Sequence, residues 1–351
     1  MKRISLLFFA AFLSLSTLIG QDQHFTQFYA SPLSLNPALT GAFDGKFRFS
    51  FIYRDQWRNA LDNPYVTYSA AIDLRFDMQY AKRRVKDGLG IGMLFFSDVN
   101  GGIDFTTNQI NLSSAYHKSL SKNGEQYLSL GFQAGIAQRS VNYENLTFDD
   151  QFNGTDGYSD PTLESLPENN FSFTDYAVGL NYSFTPKNKM AVFAGFSLHH
   201  LLEPQVGFFY DPDQEENNLE HFLHQKYSGY LSLQIPIGNR VQLLPRALFY
   251  NQGPHMAVNA GTNIRFLLSD IRGIALHLGS WARPVKDVGQ ELSLDAVVGM
   301  LGIEYENFLL GISYDAHLND LTLARGSQSA LEISIAYLGD YENETILCPK
   351  F

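Results

Sequence analysis

The stretch YLSLGFQAGIAQR, residues 127–139, alternates between two kinds of side chain. One set is apolar and comprises Leu128, Leu130, Phe132, Ala134 and Ile136. The other set is small or polar and comprises Ser129, Gly131, Gln133, Gly135 and Arg139. Successive side chains of a β-strand point to opposite faces, so this stretch predicts a strand with one apolar and one polar face.

The same alternation recurs along the chain, with turn signals between the segments. FRFSFIYR (47–54) places Phe47, Phe49, Phe51 and Tyr53 opposite Arg48, Ser50 and Arg54. We predict fourteen strands, at 47–54, 65–74, 88–96, 103–117, 126–139, 171–184, 189–202, 224–236, 240–250, 255–267, 271–282, 290–305, 307–317 and 328–338. Several are ten residues or longer, which suits a tilted strand that crosses a bilayer better than a soluble strand of about 5–6 residues.

The composition of the two faces indicates a membrane barrel. The polar face is rich in Gly, Ser, Asn, Gln and Thr, as in a crowded, wet lumen, and the apolar face is rich in Phe, Tyr, Leu and Val. In lipid only a closed barrel satisfies every backbone N–H and C=O. We therefore predict an all-β fold, a 14-stranded antiparallel transmembrane β-barrel over 46–338. A soluble secreted β-sandwich is the alternative.

Connection lengths predict the orientation of the barrel. Tight connections such as TPKNK (185–189) and YEN (305–307) alternate with the long segments 140–170 and 203–223. Short periplasmic turns and long outer loops are typical of outer-membrane barrels. The two long segments carry seven and six acidic residues respectively and no Lys or Arg. Residues 339–351 then form a periplasmic C-terminal tail.

The N-terminus has the pattern of a secretory signal peptide over 1–20. Lys2 and Arg3 precede an apolar stretch that is too short to span a membrane comfortably. Removing this segment leaves 23 Lys and Arg against 36 Asp and Glu, a net charge of 23 − 36 = −13. Such acidity argues against a nucleic-acid partner. Cys348 is the single cysteine, so no intramolecular disulfide is possible.

Residues 21–45 lack any strand or helix periodicity. They are aromatic and nearly uncharged, and Pro32 and Pro37 forbid a central strand. Because the segment directly precedes the first strand, we expect it to begin on the periplasmic side. Its aromatic residues need a protein surface to cover them. We therefore expect the segment to fill the lumen as a plug or to dock on a periplasmic partner.

Enzymatic and metal-binding functions find little support in the sequence. His199 and His200 are adjacent, so on a strand they would point to opposite faces. His221 and His224 have a spacing that suits a metal only on a helix, and residues 149–160 are rich in calcium-type oxygen ligands without EF-hand spacing. No nucleophile signature accompanies the histidines. We predict no catalytic residue, no metal and no cofactor.

Two tryptophans, Trp57 and Trp281, lie near predicted outer strand ends. Aromatic residues at that height commonly form a girdle at the membrane interface. We expect both to belong to such a girdle.

The stretch FTQFYASPLSLNPALTG (25–41) resembles the N-terminal signature of the PorP/SprF family of outer-membrane proteins, which belong to the type IX secretion and gliding machinery of Bacteroidota. Phe28 and Ser31 stand where the family usually has Tyr and Asn. SYD (313–315) and ALEISIAYL (330–338) resemble the final hairpin of the family.

The resemblance implies a non-enzymatic role in the secretion or surface anchoring of adhesin-like cargo that carries a C-terminal sorting domain. It also implies contacts with outer-membrane lipid and with periplasmic ring or peptidoglycan-associated components. The residues expected to plug the lumen or bind a partner are Phe25, Gln27, Phe28, Tyr29, Pro32, Leu35, Asn36 and Pro37. The residues expected on outer docking loops are Glu144, Asp149, Asp150, Asp156, Asp211 and Asp213. The alternative is a passive porin, in which Arg48, Arg54 and Arg139 select anions.

Overall fold

The computed structural model describes residues 22–78, 85–155, 157–208, 222–269, 273–286, 292–318 and 329–339. The strands are β1 (Phe47–Gln56), β2 (Tyr65–Met78), β3 (Asp87–Asn100), β4 (Phe105–Ser119), β5 (Gln126–Ser140), β6 (Asn170–Phe184), β7 (Ala191–His199), β8 (Lys226–Ile237), β9 (Val241–Gln252), β10 (His255–Ser269), β11 (Ile274–Lys286), β12 (Leu292–Tyr305), β13 (Phe308–His317) and β14 (Ser329–Leu338). Within the described residues, no helix is both long and apolar enough to cross a membrane.

The strands form one closed barrel. Each strand pairs antiparallel with its neighbours in the chain, and β1 pairs with β14, with Phe49 opposite Tyr337, to close the sheet. The register shifts at two places, between Leu267 and Ser269 and between Arg283 and Pro284. The second shift lies beside a proline, which cannot donate a ladder hydrogen bond. The predicted 14-stranded antiparallel barrel is confirmed.

The outward face of the wall is apolar and uncovered. Along β5, Leu130 and Phe132 are 60% and 47% exposed, while the flanking inward residues Ser129 and Gln133 are buried. In a soluble sandwich the apolar face would be the buried one. This inverted pattern places the apolar side chains against hydrocarbon, so the β-sandwich alternative is wrong.

Two ends of the barrel can be distinguished by their connections. At one end, here called the short-turn end, β12 and β13 are joined by 306–307 and β8 and β9 by 238–240. At the other, here called the long-loop end, β5 and β6 are joined by 141–169 and β7 and β8 by 200–225. Some connections at the long-loop end are also tight, such as 101–104 and 253–254.

The predicted strand bounds hold to within four residues, and β7 is shorter than predicted. The sequence pattern predicted a strand to residue 202, but β7 ends at His199. His200 and Glu203 have φ angles of 56° and 45°, in the left-handed region that turns a chain out of a strand. The part of β6 at the long-loop end therefore lacks the pairing with β7 that the sequence predicted.

Candidate functional site

The N-terminal segment, here residues 22–45, lies inside the barrel. It begins at the long-loop end, where the backbone N–H of Asp22 donates to Gln252 Oε1 (2.8 Å) at the last residue of β9. It ends at the short-turn end, where Lys46 N donates to Gly339 O (3.2 Å). A start on the periplasmic side was expected because the segment directly precedes β1, but its first described residue, Asp22, lies at the mouth opposite the start of β1. From there the segment descends through the lumen before it enters β1.

Asp22 anchors the segment at the long-loop end. Its carboxylate contacts His200 Nε2 (2.7 Å) and Lys226 Nζ (3.3 Å). Burial alone would lower the pKa of His200, but the carboxylates of Asp22 and Asp175 outweigh it and raise that pKa to about 9. Burial alone would raise the pKa of Asp22, but His200 and Lys226 hold it well below its usual value. The anchor is therefore an ion pair at neutral pH.

The next contact is a buried charge network that joins the segment to β13 and β14. Thr26 N and Gln27 N donate to the two carboxylate oxygens of Glu332 (2.7 and 2.9 Å). The hydroxyl of Thr26 donates to Asp315 Oδ2 (2.7 Å), and Arg54 pairs with both carboxylates. Glu332 is thus satisfied partly by backbone N–H groups of the segment and Asp315 partly by the Thr26 hydroxyl, which fixes the height of the segment in the lumen.

His24 extends this network towards β11. Burial lowers the pKa of His24 well below its usual value, and the charges of Arg283 and Arg54 lower it further. Neutral His24 accepts a hydrogen bond at Nε2 from Arg283 Nη1 (3.0 Å). Arg283 also pairs with Asp315.

Aromatic residues of the segment pack against the inner wall. Phe28 meets Trp281 edge-on with ring centroids 5.7 Å apart, and Tyr29 stacks on the same indole at 6.0 Å. The guanidinium of Arg246 lies 3.9 Å from the centre of the Tyr29 ring. Phe25 packs separately, against Phe96 of β3 at 6.3 Å. These contacts bury apolar surface that a free leader would expose.

Trp281 was expected in an interfacial girdle, and this prediction is wrong for that residue. Trp281 is only 2% exposed, faces the lumen and belongs to the core formed with Phe28 and Leu35. The alternation in β11 already carried this information, because Trp281 has the same parity as the inward residues Ala275 and His277.

Asn36 to Ala38 rest on a floor of inward-facing glycines. Asn36 Nδ2 donates to the carbonyls of Leu180 (3.0 Å) and Phe196 (3.2 Å), while Asn36 Oδ1 accepts from Ala38 N (2.8 Å). A Cβ placed on Gly131 would come within 2.2 Å of Ala38 N, and one on Gly179 within 1.9 Å of Asn36 Oδ1. Only residues without a side chain let the backbone of the segment come this close to β5 and β6.

A second charged anchor holds the lower part of the segment. Asp73 of β2 accepts from Gly41 N (2.7 Å) and pairs with Arg48 Nη2 (2.7 Å). His117 Nε2 donates to the carbonyl of Thr40 (2.8 Å). Gly41 has φ +71°, and a Cβ there would come within 2.6 Å of Gly90. A glycine is therefore required at this turn into β1.

The lumen accommodates the predicted plug residues together. Asn36 lies between the one-turn α-helix Pro32–Leu35 and the 3₁₀ helix Pro37–Leu39, and Pro37 is the first residue of the second helix. Seven of the eight predicted plug residues are buried, namely Phe25, Gln27, Phe28, Pro32, Leu35, Asn36 and Pro37. The eighth, Tyr29, is half-buried. Space remains at the long-loop end, where cavities of about 330 and 470 Å³ open beside Asp22 and Gln23.

The predicted outer-loop residues that the structure describes lie apart from the lumen. Glu144, Asp149 and Asp150 are exposed on the 141–169 connection. Asp150 accepts from Thr162 Oγ1 (3.0 Å), which ties the loop to itself. Asp156, Asp211 and Asp213 lie outside the described residues.

The three arginines that could select anions in a porin already contact other groups of the protein. Arg48 pairs with Asp73, and Arg54 pairs with Asp315 and Glu332. Arg139 donates to the carbonyl of Val206 (3.1 Å) and lies over the Phe105 and Phe173 rings. Two of the three are therefore neutralised by wall carboxylates and do not offer a free positive lining.

The histidine and oxygen-ligand clusters form no metal centre in the described part of the chain. No group of three or more His, Cys, Asp or Glu side chains there could hold an ion. His221 lies outside the described residues. The prediction that His199 and His200 point to opposite faces is wrong. His199 Nε2 approaches the Leu35 carbonyl (3.3 Å) and His200 contacts Asp22, because the left-handed turn at His200 redirects the second ring inward.

Sequence reasoning missed the residues of the wall that receive the segment. These are the inward glycines Gly90, Gly131 and Gly179 and the acids Asp73 and Glu332. The glycines stood out as small members of the polar face, but their common height on β3, β5 and β6 depends on the register between strands. Glu332 lies 306 residues from Thr26, and no local pattern connects the two.

A closed barrel with an uncovered apolar belt, a polar lumen and tight turns at one end defines an integral outer-membrane β-barrel. In barrels of this class the short turns lie on the periplasmic side, which would put the long-loop end at the cell surface. Within this class, the chain belongs to the family described as type IX secretion system membrane protein PorP/SprF, whose model matches residues 17–337. The predicted family and outer-membrane location are confirmed.

Solved structures with a similar fold include a FadL homologue of Pseudomonas aeruginosa, with 10% identity, a TM-score of 0.47 and coverage of 86% of this chain and 92% of that one. They also include the toluene transporter TodX of Pseudomonas putida, with 13% identity, a TM-score of 0.48 and coverage of 88% and 92%. Among curated proteins, none matches this sequence.

Proposed function

We propose that this barrel is a non-enzymatic anchor of the type IX secretion system. It holds secreted cargo with a C-terminal sorting domain at the cell surface, and the N-terminal segment keeps its lumen shut. One observation carries the second part. The segment contacts the wall around the barrel, from β14 at Glu332 through β2 at Asp73 to the β6–β7 pair at Asn36.

A lumen filled in this way suits an anchor better than a diffusion channel. Arg48 and Arg54 are paired with carboxylates of the wall, which leaves less free positive charge to steer a solute. The passive porin is therefore the weaker alternative. A porin requires a hydrated path, which the segment would have to leave open.

The exposed acidic connection 141–169 is the candidate docking surface at the cell-surface end. Glu144, Asp149 and Asp150 are exposed there, and the connection carries no Lys or Arg. Such a surface would attract a basic face of a secreted partner and repel an acidic one. The short-turn end would contact periplasmic ring or peptidoglycan-associated components.

The experiment that tests this proposal measures the proteins on the surface of intact cells. We expect deletion of the gene to remove one or a few surface proteins that carry a C-terminal sorting domain, while the remaining secreted proteins stay at their normal levels. Exchange of 141–169 and 203–223 for the loops of a paralogue should transfer the choice of surface protein. An unchanged surface proteome in the deletion strain would refute the anchor.

The loop exchange has a matched control. Exchange of the turn 120–125 at the short-turn end alters a connection on the other side of the membrane and should leave cargo choice unchanged. If both exchanges or neither transferred cargo choice, the docking surface would not lie on the long loops.

A further inference from the structure

The wall has a gap in its ladder above β7. Strand β6 pairs with β5 along its whole length, from Asn170 opposite Ser140 to Phe184 opposite Gln126. On its other side β6 pairs with β7 only from Val178 to Phe184. Within the described residues, the stretch 170–176 of β6 therefore has no neighbouring strand on that side.

The chain after β7 turns inward and does not continue the wall. Leu201 N donates to the Tyr176 carbonyl (3.1 Å), and beyond this bond the chain leaves β6. Val206 O then accepts from Arg139, an inward-facing residue of β5. Phe208 packs edge-on against Phe171 with centroids 4.8 Å apart. The described start of the β7–β8 connection thus runs across the long-loop mouth and does not pair with the edge of β6 beyond Tyr176.

The orientation of the backbone on this edge follows from the Tyr176 bond. The N–H and C=O of one strand residue point to the same side, and they alternate from residue to residue. The Tyr176 carbonyl faces the gap, so the backbone groups of Thr174, Ser172 and Asn170 face it as well. Those of the odd-numbered residues face β5.

An open edge of this kind is a template for another strand. The outward side chains beside it, Asn170, Ser172 and Thr174, are polar and exposed, so this part of β6 stands above the apolar belt. Water and soluble proteins can reach it. The binding mode that uses such an edge is strand addition, in which main-chain hydrogen bonds give affinity and side-chain pockets give specificity.

A pocket for side chains lies next to the edge. A cavity of about 630 Å³ separates residues 168–174 from the start of the β7–β8 connection, and Phe171, Leu202 and Phe208 line it. Leu202 is 73% exposed. Glu168 places a negative charge in its lining, and the exposed Glu203 lies between the lining residues Leu202 and Pro204. The pocket therefore accepts apolar side chains of a strand whose flanking residues are basic.

We propose that residues 170–176 of β6 are a strand-docking site for an extended segment of a secreted partner protein. That segment carries apolar side chains at alternate positions and basic residues beside them. The inference rests on the proposed function, because it takes the partner to be the C-terminal sorting domain of the cargo. The docked strand would restore the ladder that β7 leaves incomplete.

The test uses the full-length protein in lipid nanodiscs. The probe is the purified C-terminal sorting domain of a protein whose surface level falls in the deletion strain. Ser172→Pro removes an N–H that faces the gap and leaves the β5 ladder intact, so we expect at least about tenfold weaker binding. Ser172→Ala keeps that N–H and should bind like the wild type.

A second measurement does not depend on any variant. We expect amide hydrogen exchange of the wild-type peptide 170–176 to slow when the sorting domain binds. The amides of 136–140 on β5, which are already paired with β6, should exchange unchanged.

Three results would overturn the inference, and they are distinguishable. Binding that is insensitive to Ser172→Pro, with no slowing of exchange, would remove the strand site and leave the anchor function standing. Failure of the wild type to bind the domain would remove both. Protection of 170–176 in the barrel alone that increases with protein concentration would show that a second copy occupies the edge.

Discussion

The wall of the barrel and the N-terminal segment inside it are held by different forces. Each strand of the wall is bonded to the next along most of its length, as in the fifteen residue pairs between β5 and β6. The segment has no such ladder. It is held by side-chain hydrogen bonds, ion pairs and aromatic contacts, and its neighbours lie on strands from every part of the chain. The wall can therefore persist without the segment, whereas the segment has no position without the wall.

The difference also appears in what replaces each contact if it is lost. A broken ladder bond in lipid leaves an unsatisfied backbone group, which costs several kcal/mol. A released segment exposes Glu332 and Asp73 to a polar lumen, where water can solvate them. Water can therefore replace the contacts of the segment but not the ladder bonds of the wall, so substitutions in the two regions should have different effects.

The largest effect is expected in the wall. Phe132 lies at the centre of the outward apolar run of β5, and Phe132→Arg should destabilise the barrel by about 2–4 kcal/mol. Urea unfolding in lipid measures this change. Leu163→Arg, on a loop residue that is 91% exposed, is the control and should be neutral. Equal stability of both variants would show that the outward face does not contact hydrocarbon.

The anchor that Asp22 forms with His200 at the long-loop end should depend on pH. The raised pKa of His200, about 9, means that its contribution is complete below its ordinary value of 6.5 and is lost as the pH rises through 9. The lowered pKa of Asp22 means that its contribution is present above 3.8 and is lost below that value. The anchor is then strongest between about pH 4 and 6.5, and the His200 contribution has an upper bound on the order of 3 kcal/mol.

Thiol labelling of Gln23→Cys in a Cys348→Ser background measures release of this anchor. Labelling relative to Leu163→Cys, which corrects for thiol ionisation, should rise from pH 6.5 to 9. His200→Gln should abolish the rise. A relative rate that does not change with pH would contradict the anchor.

An added side chain on the glycine floor should displace the segment and spare the wall. Gly131→Ala places a Cβ against the backbone of Pro37 and Ala38, and overpacking of this kind costs about 1–3 kcal/mol. We expect ion conductance to rise while the barrel still shows heat-modifiable gel migration. Gly299→Ala is the control, because a Cβ there meets nothing within 4 Å.

The smallest effect concerns Asn36. Asn36→Ala removes two hydrogen bonds to the carbonyls of Leu180 and Phe196 and should cost about 1–2 kcal/mol. Asn36→Asp should cost more, because it turns a carboxylate oxygen towards two carbonyls. Thermal unfolding in detergent ranks the three proteins. If Asp were tolerated as well as Ala, the amide would not be donating to the wall.

Much of the wall could be predicted from the sequence, because one face meets lipid and the other meets polar groups at every strand. The alternation in 127–139 already separates Phe132 from Ser129 without knowledge of the fold. The end of β7 escaped prediction because HHL (199–201) contains no turn signal, and only the left-handed backbone at His200 ends the strand.

The candidate site was less predictable. The aromatic and proline residues of 21–45 indicated a covered segment, but its direction depends on Asp22 finding His200 and Gln252, which lie 178 and 230 residues away. Pairings at that separation follow from the closed topology and leave no local pattern. The glycine floor is similar, since Gly131 and Gly179 become neighbours only through the β5–β6 register.

The most direct test of the central claim is the conductance of the purified protein in a planar bilayer, with and without residues 24–40. If the segment closes the lumen, the intact barrel is nearly silent, and the deleted form, still folded, passes ions steadily. Equal conductance of the two folded proteins, whether open or silent, would contradict the claim.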